Sequence, residues 1–83
     1  MKPLNALPRV FADFQNSDSQ GRVRLNTIGS AEDLNRLGVI LQDNLEILLY
    51  CLELETEGIV VRSSEENIWV AKVDWNKVRS RTS

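Results

Sequence analysis

The stretch Leu45-Glu46-Ile47-Leu48-Leu49-Tyr50-Cys51-Leu52-Glu53-Leu54-Glu55-Thr56-Glu57 decides the fold of this chain, because it carries two complete and incompatible periodicities. As a helix it has Asp43 as N-cap, Glu46 at N3, leucines at 45, 48, 49 and 52, and Gly58 beyond its end. As a strand it sets Leu45, Ile47, Leu49 and Cys51 on one face and Leu48, Tyr50, Leu52 and Leu54 on the other. The flanking sequence favours the strand. Gly58 to Arg62 and Asn67 to Trp75 read as two strands joined by the polar loop Ser63-Ser64-Glu65-Glu66, and such a hairpin needs an antiparallel neighbour. Glu55-Thr56-Glu57-Gly58 supplies the turn between them. In the last strand Trp69, Ala71, Val73 and Trp75 share a face, so both tryptophans are expected in the core.

Upstream, Met1 to Pro8 reads as an extended lead-in, and Arg9 to Phe14 fits a short helix or a strand about equally well. Gln15 to Gly21 is unbroken turn chemistry. Arg22-Val23-Arg24-Leu25 alternates as a half-exposed strand. A short helix is expected between Ser30, as N-cap, and Leu37, with Asp33 at N3, Leu34 and Leu37 as its inner stripe, and Gly38 closing it in the left-handed conformation. Val39-Ile40-Leu41 reads as a short strand, and residues 80–83 as a frayed tail. These elements predict one domain over 1–83, mainly β: a partly open SH3-like barrel of four to five antiparallel strands with one short helix. The alternative is an α+β layer in which 44–57 is a helix on a three-stranded sheet.

Composition bounds the chemistry. The 83 residues contain no histidine and a single cysteine, which removes His-based triads, dyads and metal sites and leaves no intrachain disulfide. Nothing calls for a cofactor, and Cys51 among apolar neighbours reads as a structural thiol in a reducing, cytoplasmic setting. The longest apolar run, Ile47 to Leu52, is far shorter than the roughly twenty residues that span a bilayer, so no membrane association is expected. Net charge is −2, unevenly spread: residues 31–66 hold nine acids and two bases, while both flanks are basic. The simplest account is pairing within the fold.

Phe11-Ala12-Asp13-Phe14, Gly21-Arg22-Val23-Arg24-Leu25-Asn26, Gly29-Ser30 with Asp33-Leu34, and Trp69-Val70-Ala71 with Asp74-Trp75 resemble a group of small uncharacterised bacterial proteins, over roughly residues 10–79. The resemblance implies a bacterial source and a compact domain. It brings no activity, cofactor or site residue with it.

The candidate sites are surfaces. Leu48, Tyr50 and Leu52 form an apolar outer face if 45–54 is a strand, which suits an unknown protein partner, a homodimer, or cover by Leu4, Leu7 and Phe11 of the same chain. Arg22, Arg24, Lys72, Lys77 and Arg79, with Arg81 nearby, form a candidate basic patch for single-stranded nucleic acid. An isoelectric point near 5.0 weighs against that use. Glu53, Glu55 and Glu57 would line a strand edge, but no calcium-loop motif accompanies them, and the glycines at 21, 29 and 38 have no phosphate-loop spacing. The functional expectation is a non-catalytic interaction or accessory module of the bacterial cytoplasm, not an enzyme.

Overall fold

The computed structural model describes residues 7–81. The ambiguous stretch is strand, and it contains a reversal. β1 (Arg9–Phe11), β2 (Val23–Arg24), α1 (Ile28–Leu37), β3 (Glu46–Tyr50), β4 (Leu54–Ser63), β5 (Ile68–Val73) and β6 (Arg79–Ser80) follow in chain order, with one 3-10 turn at Trp75–Lys77. The strands form a curled half-barrel ordered β1-β3-β4-β5-β2, with β6 beside the start of β4. The fold is therefore mainly β, as the strand pattern predicts.

Register explains which side chains are inside. Opposite residues share a face, and the pairs Leu49↔Thr56, Ile47↔Gly58, Val60↔Ala71 and Val23↔Ala71 set one continuous inner surface. Val10, Ala12, Val23, Leu25, Ile47, Leu49, Val60 and Ala71 form the buried cluster, with Phe14, Leu34 and Trp69 packed against it. Gly58 sits in a tight place: an added Cβ would lie 3.2 Å from Leu49 Cδ1 and 3.3 Å from Ala71 Cβ, so those neighbours would have to give way by a few tenths of an ångström.

Several local expectations are corrected. The β3–β4 reversal falls at 51–53, ahead of the expected Glu55 to Gly58 turn, and leaves Glu55, Thr56 and Glu57 inside the ten-residue β4. Arg9 to Phe11 is strand, and it pairs with β3 in parallel, not antiparallel as the other pairings are. A parallel pair needs a long crossover, and residues 12–45 supply it. Residues 39–41 form no strand; Leu41 packs on the core while Ile40 is 84% exposed. Trp69 packs on the core, but Trp75 is 45% exposed. It sits in the 3-10 turn, where its Nε1 donates to the Gly21 carbonyl at 3.0 Å and its ring stands edge-on to Phe14. Ser80 lies in β6, and the Arg81 amide donates to the Glu53 carbonyl, so neither belongs to a frayed tail. Residues 82–83, and residues 1–6 of the lead-in with Leu4, lie outside the described residues.

The helix begins earlier than expected. Thr27 is the N-cap, its hydroxyl accepting from the Ser30 amide at 3.1 Å, while Gly38 closes the helix at φ 68° as predicted. Ser30 is consequently free to turn inward. Leu34 reaches the core, but Leu37 is 40% exposed and the buried helical residues are Ser30 and Asp33. Both serve the edge of the sheet. The Ser30 hydroxyl donates to the Phe11 carbonyl at 2.6 Å, and Asp33 Oδ2 accepts the Phe11 amide at 2.9 Å. A parallel edge strand leaves alternate backbone groups unpaired, and α1 satisfies those of Phe11 with side chains. At the far edge the loop does the same for β2: the Asp18 amide donates to Arg22 and the Arg24 amide to Asn16.

Candidate functional site

Leu48 and Tyr50 share the outer face of β3 with Arg9 and Phe11 of β1, by the register Arg9↔Leu48 and Phe11↔Tyr50. Tyr50 is the centre of this region. Phe11 meets its ring edge-on at 5.9 Å, and the guanidiniums of Arg9 and Arg81 lie 5.3 and 4.7 Å from its centroid. Its hydroxyl donates to Asp33 Oδ2 at 2.6 Å, and Arg36 donates to Asp33 Oδ1 at 3.0 Å. The Tyr50 hydroxyl holds the Asp33 carboxyl below the usual range; burial opposes this, and Arg36 and the Phe11 amide add to it. The same bond, with burial, raises the phenol of Tyr50.

Leu52 is not part of that face. β3 ends at Tyr50, and Leu52 stands in the reversal, 89% exposed. It borders a separate hollow of about 590 Å³ whose apolar lining is Phe11, Phe14, Cys51, Leu52 and Leu54. Asp13 and Glu53 supply carboxylates at its margin. Neither takes part in an ion pair among the described residues. The expected three-residue surface is thus split: Leu48 and Tyr50 are half-buried under their own chain, and Leu52 joins the two phenylalanines.

The candidate basic patch is dispersed and largely neutralised. Arg22 Nε pairs with Asp18 at 2.8 Å, and Arg24 grips Glu66 through two bonds of 2.7 Å. Arg79 bridges Glu55 at 3.1 Å and Glu57 at 2.9 Å. Lys72 and Lys77 sit beside Asp74 and Glu57 along a shallow hollow. Burial pushes the Asp18 carboxyl up, but the amides of Arg22 and Gln20 and the Arg22 guanidinium outweigh it and hold the group low. The glutamates at 55 and 57 are the partners of Arg79, which accounts for two of the three carboxylates in the acidic stretch. Among the described residues no group of three or more potential ligands gathers around a metal position.

What sequence spacing does not reveal is the meeting of Arg9, Arg36 and Arg81 around Tyr50. These residues come from β1, α1 and the chain after β6, and no local motif links them. Asp33, which orients Tyr50 and holds Arg36, is legible from sequence only as an acid in a helical first turn.

No helix among the described residues is long and apolar enough to cross a membrane. Compared with known protein families, with characterised proteins and with solved structures, the chain matches none.

Proposed function

We propose that the chain is a non-catalytic protein-interaction module of the bacterial cytoplasm, docking its partner in the hollow beside Leu52. One observation carries this reading: Leu52 is 89% exposed and lines, with Leu54 and two phenylalanines, a single hollow. An exposed aliphatic side chain that continues into an apolar hollow with a polar margin makes a contiguous apolar surface, the kind that marks contact sites. The two carboxylates at the margin select for charge. A fitting partner segment presents an aliphatic or aromatic side chain flanked by lysine or arginine, so that Asp13 and Glu53 meet opposite charge while the apolar tip displaces water.

Single-stranded nucleic acid, read by Arg22, Arg24, Lys72, Lys77 and Arg79, is the weaker reading, because three of those five cations already hold carboxylates. Releasing them costs the ion pairs that a phosphate would replace. The test uses the intact chain and Leu52→Asp as baits for host proteins in parallel. The exposed position makes Leu52→Asp harmless to folding, which circular dichroism verifies. A protein retained by the parent chain and lost with the variant is the expected result. Equal retention by both, or saturable salt-sensitive binding of labelled single-stranded DNA, would overturn the reading.

A further inference from the structure

The hollow beside Tyr50 shares no lining residue with the groove of Leu52, and its chemistry is different. It measures about 620 Å³; Arg9, Arg36 and Arg81 converge on it with Tyr50, and Pro8 and Leu37 are among its apolar walls. The charges there do not cancel. Arg36 is matched by Asp33 at 3.0 Å. Arg81 donates Nη1 to a neutral acceptor, the Cys51 carbonyl, at 2.6 Å, and forms no ion pair among the described residues. Arg9 reaches only Glu55, at 3.9 Å, and that carboxylate is already held by Arg79 at 3.1 Å. Arg79 is itself held by Glu57 at 2.9 Å, so Arg9 keeps a loose share of Glu55, and Arg81 is the guanidinium left without a carboxylate among the described residues, in a chain whose formal net charge is −2. Stacking against Tyr50 fixes both in place, so the loss of side-chain entropy on binding an anion is already partly met.

The geometry points to a binding site for a phosphate monoester in this hollow, with Arg9 and Arg81 as the principal phosphate ligands, Arg36 at the rim, and the apolar walls receiving the organic part of the ester. Charge selects the ligand class. A monoester carries about −1.5 to −2 near neutrality, enough to engage the unpaired Arg81 and to replace the loose 3.9 Å contact of Arg9 with Glu55, where a carboxylate brings a single charge. The planar donor forks of arginine suit phosphate oxygens in pairs. The arginines are also accessible, with the Arg9 side chain 48% and that of Arg36 64% exposed.

The absence of histidine from the sequence provides an internal control. The charged side chains lining the hollow are Arg9 of β1, Arg36 of α1 and Arg81 after β6, with Tyr50 of β3 as the phenol, and the carboxylates bonded to them are Asp33 of α1 and Glu55 of β4. None belongs to a residue type that ordinarily titrates between about pH 5 and 7, whereas a phosphate monoester takes up its second proton near pH 6. Affinity should fall as pH drops through that value, and the fall belongs to the ligand.

The test is calorimetric or NMR titration of the full chain at low salt with phenyl phosphate, inorganic phosphate and benzoate. Saturable binding of phenyl phosphate is expected, tighter than inorganic phosphate because of the apolar walls, with benzoate weakest. Losing two charge-assisted contacts in the Arg9→Gln, Arg81→Gln double variant should weaken binding by at least roughly tenfold. Leu37→Glu is the second variant, since it places a negative charge at an exposed wall position without disturbing Tyr50, and it should weaken binding similarly. Lys72→Gln, remote from the hollow, should leave affinity unchanged. Several outcomes would overturn the proposal: no saturation into the millimolar range, equal binding of benzoate, equal binding of inorganic phosphate, or a Lys72→Gln loss as large as that of the double variant.

Discussion

Asp33 shows how one carboxylate can be placed by three elements at once. It accepts the Phe11 amide of β1, the Tyr50 hydroxyl of β3 and the Arg36 guanidinium of its own helix, and it is buried. Removing it strands a backbone donor and a phenol in a partly buried setting, where each unsatisfied group costs about 1–3 kcal/mol. Asp33→Ala should therefore lower stability by about 2–4 kcal/mol, read as a shift of the urea midpoint; a change within error would contradict the account. The same carboxylate sets a pH dependence. Asp33 and Asp18 are both held below the ordinary 3.8, so the unfolded chain binds protons at a pH where the native state does not. Their contribution is complete above about pH 5 and is lost as pH falls through the unfolded value and then the lower native ones. Urea midpoints at about pH 7, 5 and 3 should hold across the first interval and drop across the second, with a smaller drop in Asp33→Ala. An equal drop in that variant would assign the acid sensitivity elsewhere.

At the scale of elements, the second half of β4, β5 and the loop between them are legible because period-two patterning and polar loop chemistry agree with the final pairing, whereas the first half of β4, read as a turn, is not. Gly38 is legible for a similar local reason. The helix is harder to read. Its buried positions are polar, because α1 seats against backbone groups of a sheet edge and not only against a core, so an apolar stripe through Leu34 and Leu37 describes half of it. Trp75 misleads by its size: it fastens the Gly21 loop to the C-terminal turn through one hydrogen bond while remaining half exposed. The Arg9, Arg36 and Arg81 cluster is illegible because long-range pairing alone creates it. The seat of α1 also depends on Gly29, where an added Cβ would fall 2.6 Å from Phe11 Cδ2. Phe11 Cγ and Cε2 would also lie 3.1 Å away, so the whole ring, edge-on to Tyr50 at 5.9 Å, would have to shift. Gly29→Ala should cost about 1–3 kcal/mol through overpacking, despite alanine's better helix propensity. A gain in melting temperature would show that the helix can shift outward freely.

For the whole molecule, the question is whether two copies meet. The outer face of Leu48 and Tyr50 is occupied by Arg9, Phe11 and Arg81 of the same chain, which removes the greasy surface that strand patterning alone predicts for 45–54. Pairing at the β1 and β2 edges is blocked as well, since α1 satisfies Phe11 on β1 and the 16–18 loop covers β2. The exposed aliphatics that remain include Leu52 and Leu54 in the groove, with Ile28 and Ile40, which do not line it. A stable symmetric pair buries roughly 600–1,000 Å² on each partner, and the groove of Leu52 and Leu54 offers much less apolar surface than that. Sedimentation equilibrium should therefore give the monomer mass of 9.4 kDa up to hundreds of micromolar. A mass rising toward twice that value would refute this, and its reversal by Leu52→Asp would put the second copy in the groove proposed for a different partner.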